Sequence, residues 1–448
     1  MKKQRDKQTQ AEYGMAFKHI GRTKVALVFP NSYYLGMSSL GFQVILDEFN
    51  KHPDVSCQRV FYQESDGVPK SFETQENLTE FDIVAFSVSF ELDYFNVASC
   101  INNSKIPFWT ENRTSKDPLI IAGGICPSFN PEPLADFIDA FLIGDGEEII
   151  HDFLSEYQDG QRLDRQELLA SLSEIDGVYV PSLHKPIYND DGTFGGLHPQ
   201  ANIKRRIVSD LDNFETVSKI LTPNTEFSNT FLIEVSRGCV HRCKFCVGSH
   251  IQKCRFRSSD AILKLAQSEL AKNASKIGLL GSSVTDHPHI DKIVTSLVNN
   301  GNRISVASIR ADSISDIVLT ALTSSGLETI TLAPEAGSDR LRRIIGKDIS
   351  LNVIFDVAKT ALNKGISGIK LYFMIGLPSE NQNDIESIIS TITELKKLMM
   401  GYISGNKMPH LTISVSPFVP KPPLQFSFLH KFPSFLWTPS VECQTGFV

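Results

Sequence analysis

At 448 residues, with 41% hydrophobic and 21% charged side chains, the chain has the make-up of a globular protein of two or three domains. Its formal net charge of −7 argues against general nucleic-acid binding, which favours basic surfaces. No apolar run reaches the roughly 18 residues of a membrane span, so no membrane association is expected. The charged opening Met1-Lys-Lys-Gln-Arg-Asp-Lys7 has no apolar stretch of a secretion signal, which makes the cytoplasm the expected location. Of eight cysteines, three are clustered, while Cys57, Cys100, Cys126, Cys254 and Cys443 are scattered. That is the pattern of reduced, buried cysteines and not of a disulfide framework.

In chain order, residues 1–20 read as a disordered polar tail. An apolar strand, Lys24–Pro30, ends in the loop Asn31–Gly36, and a helical pattern follows with Leu40, Phe42, Val44, Ile45 and Phe49. Further strands are expected at Val55–Tyr62, Asp82–Phe90, Pro118–Ala122 and Phe137–Ile143, with helices at Leu92–Ile101 and Gly146–Tyr157. Strands alternating with helices imply a parallel sheet covered on both faces. Residues 21–157 are therefore expected to form an open doubly wound domain with a ligand site at the carboxyl ends of its strands. Residues 158–228 change character. A short helix (Arg165–Ser173) leads into Val178–Pro181 and Pro186–Gly192, where Asp191-Gly192 is a turn signal, so this stretch reads as a linker with a small hairpin. The basic run Lys204-Arg-Arg206 reads as a solvated face.

A second alternating series opens at Thr230. Its strands are expected at Phe231–Ser236, Lys276–Gly281, Ile304–Ile309, Thr329–Ala333, Ile369–Ile375 and Leu411–Ser416. Its helices are expected at Ser259–Ala274, His289–Asn299, Asp316–Ser324, Leu351–Lys364 and Gln382–Met400. Gly301, Gly326 and Gly365 stand where helices should stop. Six β/α units across residues 229–420 predict an incomplete barrel, whose function sits where the strands end. Residues 421–448 follow a Pro-Lys-Pro segment ending at Pro422; they are rich in aromatics and prolines and carry no period that assigns a fold.

Directly after the first strand of this series stands Arg237-Gly-Cys-Val-His-Arg-Cys-Lys-Phe-Cys246. Cys239, Cys243 and Cys246 have C-x3-C-x2-C spacing. Three thiolates on one short loop can hold three corners of a cubane iron–sulfur cluster and leave the fourth iron open to a substrate. A structural zinc site needs four closed ligands, usually in two pairs, and no second pair follows. His241 lies inside the loop and does not easily swing back as a fourth ligand, although Cys254 could. A redox disulfide fits less well, because an active C-x2-C pair belongs in a thioredoxin-like pattern.

The three cysteines, with Phe245 before the last and Arg237-Gly238 before the first, resemble the radical S-adenosylmethionine (SAM) superfamily over residues 230–420. The resemblance implies a 4Fe–4S cluster on Cys239, Cys243 and Cys246 whose open iron chelates SAM. It implies reductive cleavage to methionine and a 5′-deoxyadenosyl radical, with an electron donor such as flavodoxin or ferredoxin as partner. Residues at later strand ends fall where the family binds SAM. Gly281-Ser282-Ser283 stands in place of Gly-Gly-Glu at the methionyl amine; the carboxylate is absent, and Asp286 or His287 is the substitute at hand. Ser308 and Arg310 close the third strand, with a local salt bridge to Asp312 as the alternative role for Arg310. Glu335 closes the fourth, placed for a ribose hydroxyl, with Gly337 and Ser338 beside it at a helix start. Gly376-Leu-Pro378 closes the fifth and is similar to the family's Gly-x-Pro turn near the adenine; Lys370, Tyr372 and Met374 share one face of that strand.

Residues 21–157 carry a second resemblance, to cobalamin-binding domains. Those have D-x-H-x-x-G after the first strand, a Ser motif after a middle strand and Gly-Gly after the next. Here the same places hold Asn31-x-Tyr33-x-x-Gly36, Ser87-Val-Ser89 and Gly123-Gly124, so Tyr33 replaces the histidine that would ligate cobalt. Asp145-Gly-Glu-Glu148 is similar to that domain's closing segment, and its carboxylates also suit a helix N-terminus. Together the resemblances imply an α/β chain with a cobalamin-binding-like Rossmann domain followed by a partial (β/α)6 TIM-like barrel. They point to the cobalamin-dependent radical enzymes, in which cobalamin donates a methyl group to an unactivated carbon of a substrate the sequence does not name. The alternatives are a tRNA methylthiotransferase and a non-catalytic iron–sulfur binding or assembly protein. Cys57, Cys100 and Cys126 do not sit in the first alternative's cluster motifs, and the tail does not resemble its RNA-binding domain.

Overall fold

The computed structural model describes residues 11–402, except 16, 19, 20 and 202, and residues 409–421. The C-terminal tail expected from residue 421 onward and Cys443 thus lie almost wholly outside the described residues. The chain divides into two compact units, Met1–Arg237 with Arg255–Ala307, and Gly238–Cys254 with Ser308–Val448. The division falls inside the second β/α series and not at residue 229, where the composition changes.

In the first unit, the apolar runs become strands because both faces are covered and every side chain finds a core. They are β1 (Thr23–Phe29), β2 (Val55–Phe61), β3 (Ile83–Ser87), β4 (Leu119–Gly123) and β5 (Ala140–Leu142), interleaved with α1 (Leu40–Lys51), α2 (Tyr94–Asn103) and α3 (Gly146–Asp159). On β1, Val25, Leu27 and Phe29 face a core shared with Phe42, Leu46 and Phe49 of α1 and Ile150, Phe153 and Leu154 of α3. Ala26 and Val28 face the opposite core, with Val97, Cys100 and Ile101 of α2. The sheet runs β2-β1-β3-β4-β5 in parallel and ends on an antiparallel sixth strand, β6 (Val178–Tyr179). This doubly wound order places ligands at the carboxyl ends of the strands, beside the switch between β1 and β3.

The expected linker is partly a core element. Val178, Tyr179 and Val180 are buried, and β6 pairs with Phe141 and Leu142, which gives the last parallel strand a neighbour. The hairpin forms as read, Lys185–Tyr188 against Phe194–His198. The strand expected over Phe137–Ile143 is shorter, because the Asp139 carboxylate turns aside to accept from the Ile120 N–H at 2.7 Å and to pair with Arg113 and Arg165.

The second series continues with β7 (Thr230–Glu234), β8 (Ser236–Arg237), β9 (Arg255–Phe256), α4 (Ser259–Leu265), β10 (Lys276–Leu280), α5 (Ile290–Asn299) and β11 (Ile304–Val306). β7, β10 and β11 form a three-stranded parallel sheet. Leu40 and Val44 of α1 pack on Leu232 and Leu280 and seat this sheet on the Rossmann layer. The helix expected over Ser259–Ala274 breaks after Leu265, where the Ser268 hydroxyl accepts from the Ala271 N–H and starts a new turn.

In the second unit, α6 (Asp316–Ser324), β12 (Thr329–Glu335), α7 (Leu351–Asn363), β13 (Gly368–Ile375), α8 (Gln382–Met400) and β14 (His410–Pro417) follow the expected bounds closely. Ser315, Ser350 and Asn381 cap α6, α7 and α8. β12-β13-β14 is again parallel. One face, with Ile330, Leu332, Ile369, Leu371 and Phe373, packs on Ile354, Ala358 and Ala361 of α7 and Leu395 and Met399 of α8. Strand alternation gives the other face Thr331, Lys370, Tyr372, Thr412 and Ser414. The six expected barrel strands thus lie in two sheets of three, one in each unit.

Candidate functional site

The cysteine loop belongs to the second unit. Gly238 opens it at φ +76°, and a Cβ there would stand 2.7 Å from the Lys253 carbonyl oxygen, so only glycine lets the loop close on itself. The Cys246 N–H donates to the Cys243 carbonyl at 3.0 Å, which curls the last two cysteines into one turn. Cys243 is buried and Cys239 and Cys246 are half-buried. Phe245 packs against a small core of Ala336, Leu341, Ile345, Leu377 and Phe418, and the Lys244 N–H donates to the Ile345 carbonyl at 2.9 Å. The aromatic of the motif is thus the anchor of its loop, close to the chain that follows β12 and β13.

Around Cys243 the structure brings together residues expected at separate strand ends. Burial pushes its thiol above the usual range, while Lys347, Arg310 and a hydrogen bond from Arg310 act the other way. Burial outweighs the two cations, so the free thiol stays above its usual range. Arg310 also pairs with Asp312 (2.7 Å), so its local salt bridge and its place beside the cluster loop coexist. Lys347 pairs with Glu335 at 2.9 Å. Glu335 sits in the left-handed region, φ +68°, after a bulge in β12, a conformation that costs a non-glycine residue roughly 1–3 kcal/mol and is characteristic of sites where geometry matters. Gly376 (φ +80°) donates its N–H to Glu380 at 2.5 Å, and burial raises the Glu380 carboxyl.

Gly281, Ser282 and Ser283 lie in the first unit, after β10. A Cβ on Gly281 would come within 2.3 Å of the Ser236 hydroxyl, so a larger residue there would force that hydroxyl to turn. Ser236 and Ser283 are buried, and among the described residues neither hydroxyl has a hydrogen-bond partner. Unpaired buried hydroxyls cost stability unless a ligand satisfies them. His287 is withdrawn as a substitute for the missing carboxylate: its Nε2 donates to the Arg257 carbonyl at 2.8 Å and its Nδ1 accepts from the His289 N–H. Ser282 is exposed, and Ser308 follows β11 in the second unit.

The expected cobalamin residues separate into two groups. Ser87, Ser89, Gly123 and Gly124 line a cavity of about 210 Å³ with Phe86, Ile45, Leu142, Gly144, Gly146 and Ile150. Gly124 (φ +110°) admits no side chain, because a Cβ would stand 2.5 Å from the Val88 carbonyl oxygen. The first loop turns elsewhere. Tyr33 is buried against Phe61 and Phe72 and donates its hydroxyl to Glu12 at 2.6 Å; burial, and then Glu12, push its phenol well above the usual range. Gly36 packs on Phe61, and Asn31 donates to Asp93 at 2.8 Å. The structure also adds what the motifs did not contain: Ser236, Lys347 and Arg255, which no spacing in the sequence marks.

A model of radical SAM proteins, N-terminal, matches residues 41–181, and the radical SAM superfamily model matches residues 233–392. The chain is a radical SAM superfamily enzyme. An uncharacterized protein of Methanocaldococcus jannaschii, MJ0966, is 29% identical over 406 residues, 90% of this chain and 78% of that protein. The uncharacterized methyltransferase PH0819 of Pyrococcus horikoshii is 25% identical over 346 residues, 73% and 69% of the two chains. The cobalamin-dependent S-adenosylmethionine radical enzyme OxsB, solved with aqua-cobalamin and S-adenosylmethionine bound, superposes with a TM-score of 0.55 at 16% identity over 82% of this chain. This chain spans about half, 51%, of the OxsB chain. The radical S-adenosylmethionine methyltransferase TsrM of Kitasatospora setae, solved with cobalamin and a 4Fe–4S cluster, gives a TM-score of 0.55 at 12% identity, over 88% of this chain and 75% of that one. These likenesses bear out the fold class of this radical SAM chain, a Rossmann-like domain and a TIM-like barrel series. Among the described residues, no helix is long and apolar enough to cross a membrane.

Proposed function

We propose that the chain is a cobalamin-dependent radical SAM enzyme that transfers a methyl group to an unactivated carbon. The observation that carries this is the cysteine loop: three cysteines on a loop closed by Gly238, anchored through Phe245 and flanked at Cys243 by Arg310 and Lys347. The donor set fits a cluster, with Cys239, Cys243 and Cys246 as its ligands. A bound 4Fe–4S cluster supplies the single electron that cleaves SAM to a 5′-deoxyadenosyl radical. The unpaired hydroxyls of Ser236 and Ser283 fit a polar ligand beside Gly281, the methionyl end of SAM. Phe245, Gly281, Ser282, Ser283, Ser308, Arg310, Glu335 and Gly376 are the residues we assign to SAM. Glu335, oriented by Lys347, accepts from a ribose hydroxyl, and Phe245 keeps the loop from swinging open to solvent.

In the first unit, Ser87, Ser89, Gly123 and Gly124 form the wall that would take the nucleotide tail of cobalamin, which, once methylated at the expense of SAM, would supply a transferable methyl group. Tyr33 holds Glu12 and the core instead of cobalt. An electron-donor protein of the flavodoxin or ferredoxin kind and a cytoplasmic location complete the reading. Anaerobic reconstitution with iron and sulfide, reduction and addition of SAM should yield 5′-deoxyadenosine. A holo cluster that never cleaves SAM would return the chain to the binding-protein alternative. Purification with hydroxocobalamin should leave a corrin chromophore on the protein; its absence removes cobalamin and leaves the SAM chemistry standing.

A further inference from the structure

The loop that carries the three cysteines leaves the first unit at Arg237 and rejoins it at Arg255. These two residues face each other in the antiparallel pair β8–β9, with Ser236 opposite Phe256. The neck of the loop is therefore only two residue pairs long, too short to hold its shape by backbone hydrogen bonds alone. Both arginines are held by one short segment at the start of α3. Asp145 pairs with Arg255 at 2.6 Å through one oxygen and with Arg237 at 3.3 Å through the other. Glu147 grips Arg237 with both oxygens, at 2.5 and 3.1 Å. Glu234, at the end of β7, completes the arginine's shell at 2.8 and 2.9 Å. The Val208 N–H donates to Asp145 at 2.9 Å, and Arg255 also donates to the Val208 carbonyl. All of these acids are mostly buried, so the pairs are little screened by water.

The chemistry of the cluster does not require any of this, because none of these side chains is a cysteine. A planar guanidinium gripped by two carboxylates in bidentate fashion has one orientation, and that fixes the backbone two residues before Cys239. We propose that Asp145 and Glu147 are positioning residues of the iron–sulfur site, clamping both stems of the cysteine loop through Arg237 and Arg255. The inference rests on the proposed function only in naming the loop's cargo; the clamp itself belongs to the protein without metal.

The full chain is tested in two arms, with D145N, E147Q, the double variant, the conservative E147D, and D176N as a control that breaks the exposed pair Lys204–Asp176. Before reconstitution, hydrogen exchange of peptides spanning 234–238 and 254–257 should speed up by about tenfold or more in D145N and E147Q. E147D should restore part of the protection, and β4 should stay protected. After anaerobic reconstitution, iron loss to a chelator should be roughly tenfold faster or more, in line with the effect of removing outer-shell partners, and the electron paramagnetic resonance signal of the reduced cluster should change, while D176N matches the parent in every readout. Parental exchange and parental iron loss in the double variant would overturn the clamp. If D145N exposes β4 as well, E147Q decides, since Glu147 holds Arg237 with both of its oxygens. If the parent protein takes up no iron, the proposed function fails, and the exchange arm still settles the clamp.

Discussion

The six-stranded sheet of the first unit and the three-stranded sheet of the second bury themselves differently. The sheet of the first unit is covered on both sides, so β1, β3 and β4 read as unbroken apolar runs and leave a ligand only their carboxyl ends. The β12–β14 sheet is covered on one side, and its other face carries Thr331, Lys370, Tyr372, Thr412 and Ser414. Lys370 lies over the Tyr372 ring at 4.8 Å, a contact that tolerates water and needs no acid partner. A doubly covered sheet is a frame, whereas a singly covered one is a wall that can line a site.

The sharpest way to break this comparison is to remove the chemistry and keep the frame. Cys243→Ala should abolish the iron–sulfur absorption after reconstitution and leave thermal unfolding nearly as before; unchanged absorption would refute the ligand assignment. Next comes the frame itself. Phe86→Ala, in the doubly covered sheet, should cost about 3–5 kcal/mol in urea unfolding. Tyr372→Ala, on the open face, should cost less than about 1 kcal/mol. Equal losses would mean the two sheets are not the two kinds of structure described.

Smaller effects probe the sites. Gly124→Ala forces a side chain onto the Val88 carbonyl at a positive φ and should cost roughly 1–3 kcal/mol while lowering corrin retention, read by absorbance after gel filtration. Glu335→Gln should weaken SAM binding to the reconstituted protein by roughly 1.5–3 kcal/mol in calorimetry, the worth of a charge-assisted hydrogen bond, with little change in folding. The smallest signal is in pH. Burial would raise the Asp145 carboxyl, but Arg237 and Arg255 outweigh it and hold it below the usual carboxylate range. A carboxyl depressed in the folded state stabilises the fold above its unfolded pKa of about 3.9, and that contribution is lost as pH falls through the folded value. Stability should therefore fall less steeply in D145N than in the parent chain as pH drops below the unfolded carboxylate range of about 4.

The strands and most helices were legible because their signals are local: continuous apolar runs and glycines at helix ends. Cys239, Cys243 and Cys246 stand out in the sequence because their spacing puts three thiols within a few residues. The fate of Tyr33 was not. Its spacing from Asn31 and Gly36 matched a ligand loop, but Glu12 and the aromatic pair Phe61 and Phe72 draw the side chain into the core. Val178–Tyr179 read as linker because a two-residue strand has no period; only the open edge of β5 gives it a role.

In the cysteine loop, the amino-acid sequence alone determined the C-x3-C-x2-C spacing and its place after a strand, since that spacing lies within a few residues, while the torsion that requires glycine at 238 came from the fold. Nor did the sequence determine what holds the loop in place. Arg255 and Asp145 are 110 positions apart and Glu147 and Arg237 are 90 apart. A charge has no periodicity that announces its partner, so the fold had to bring α3 to the loop's neck before those pairs existed.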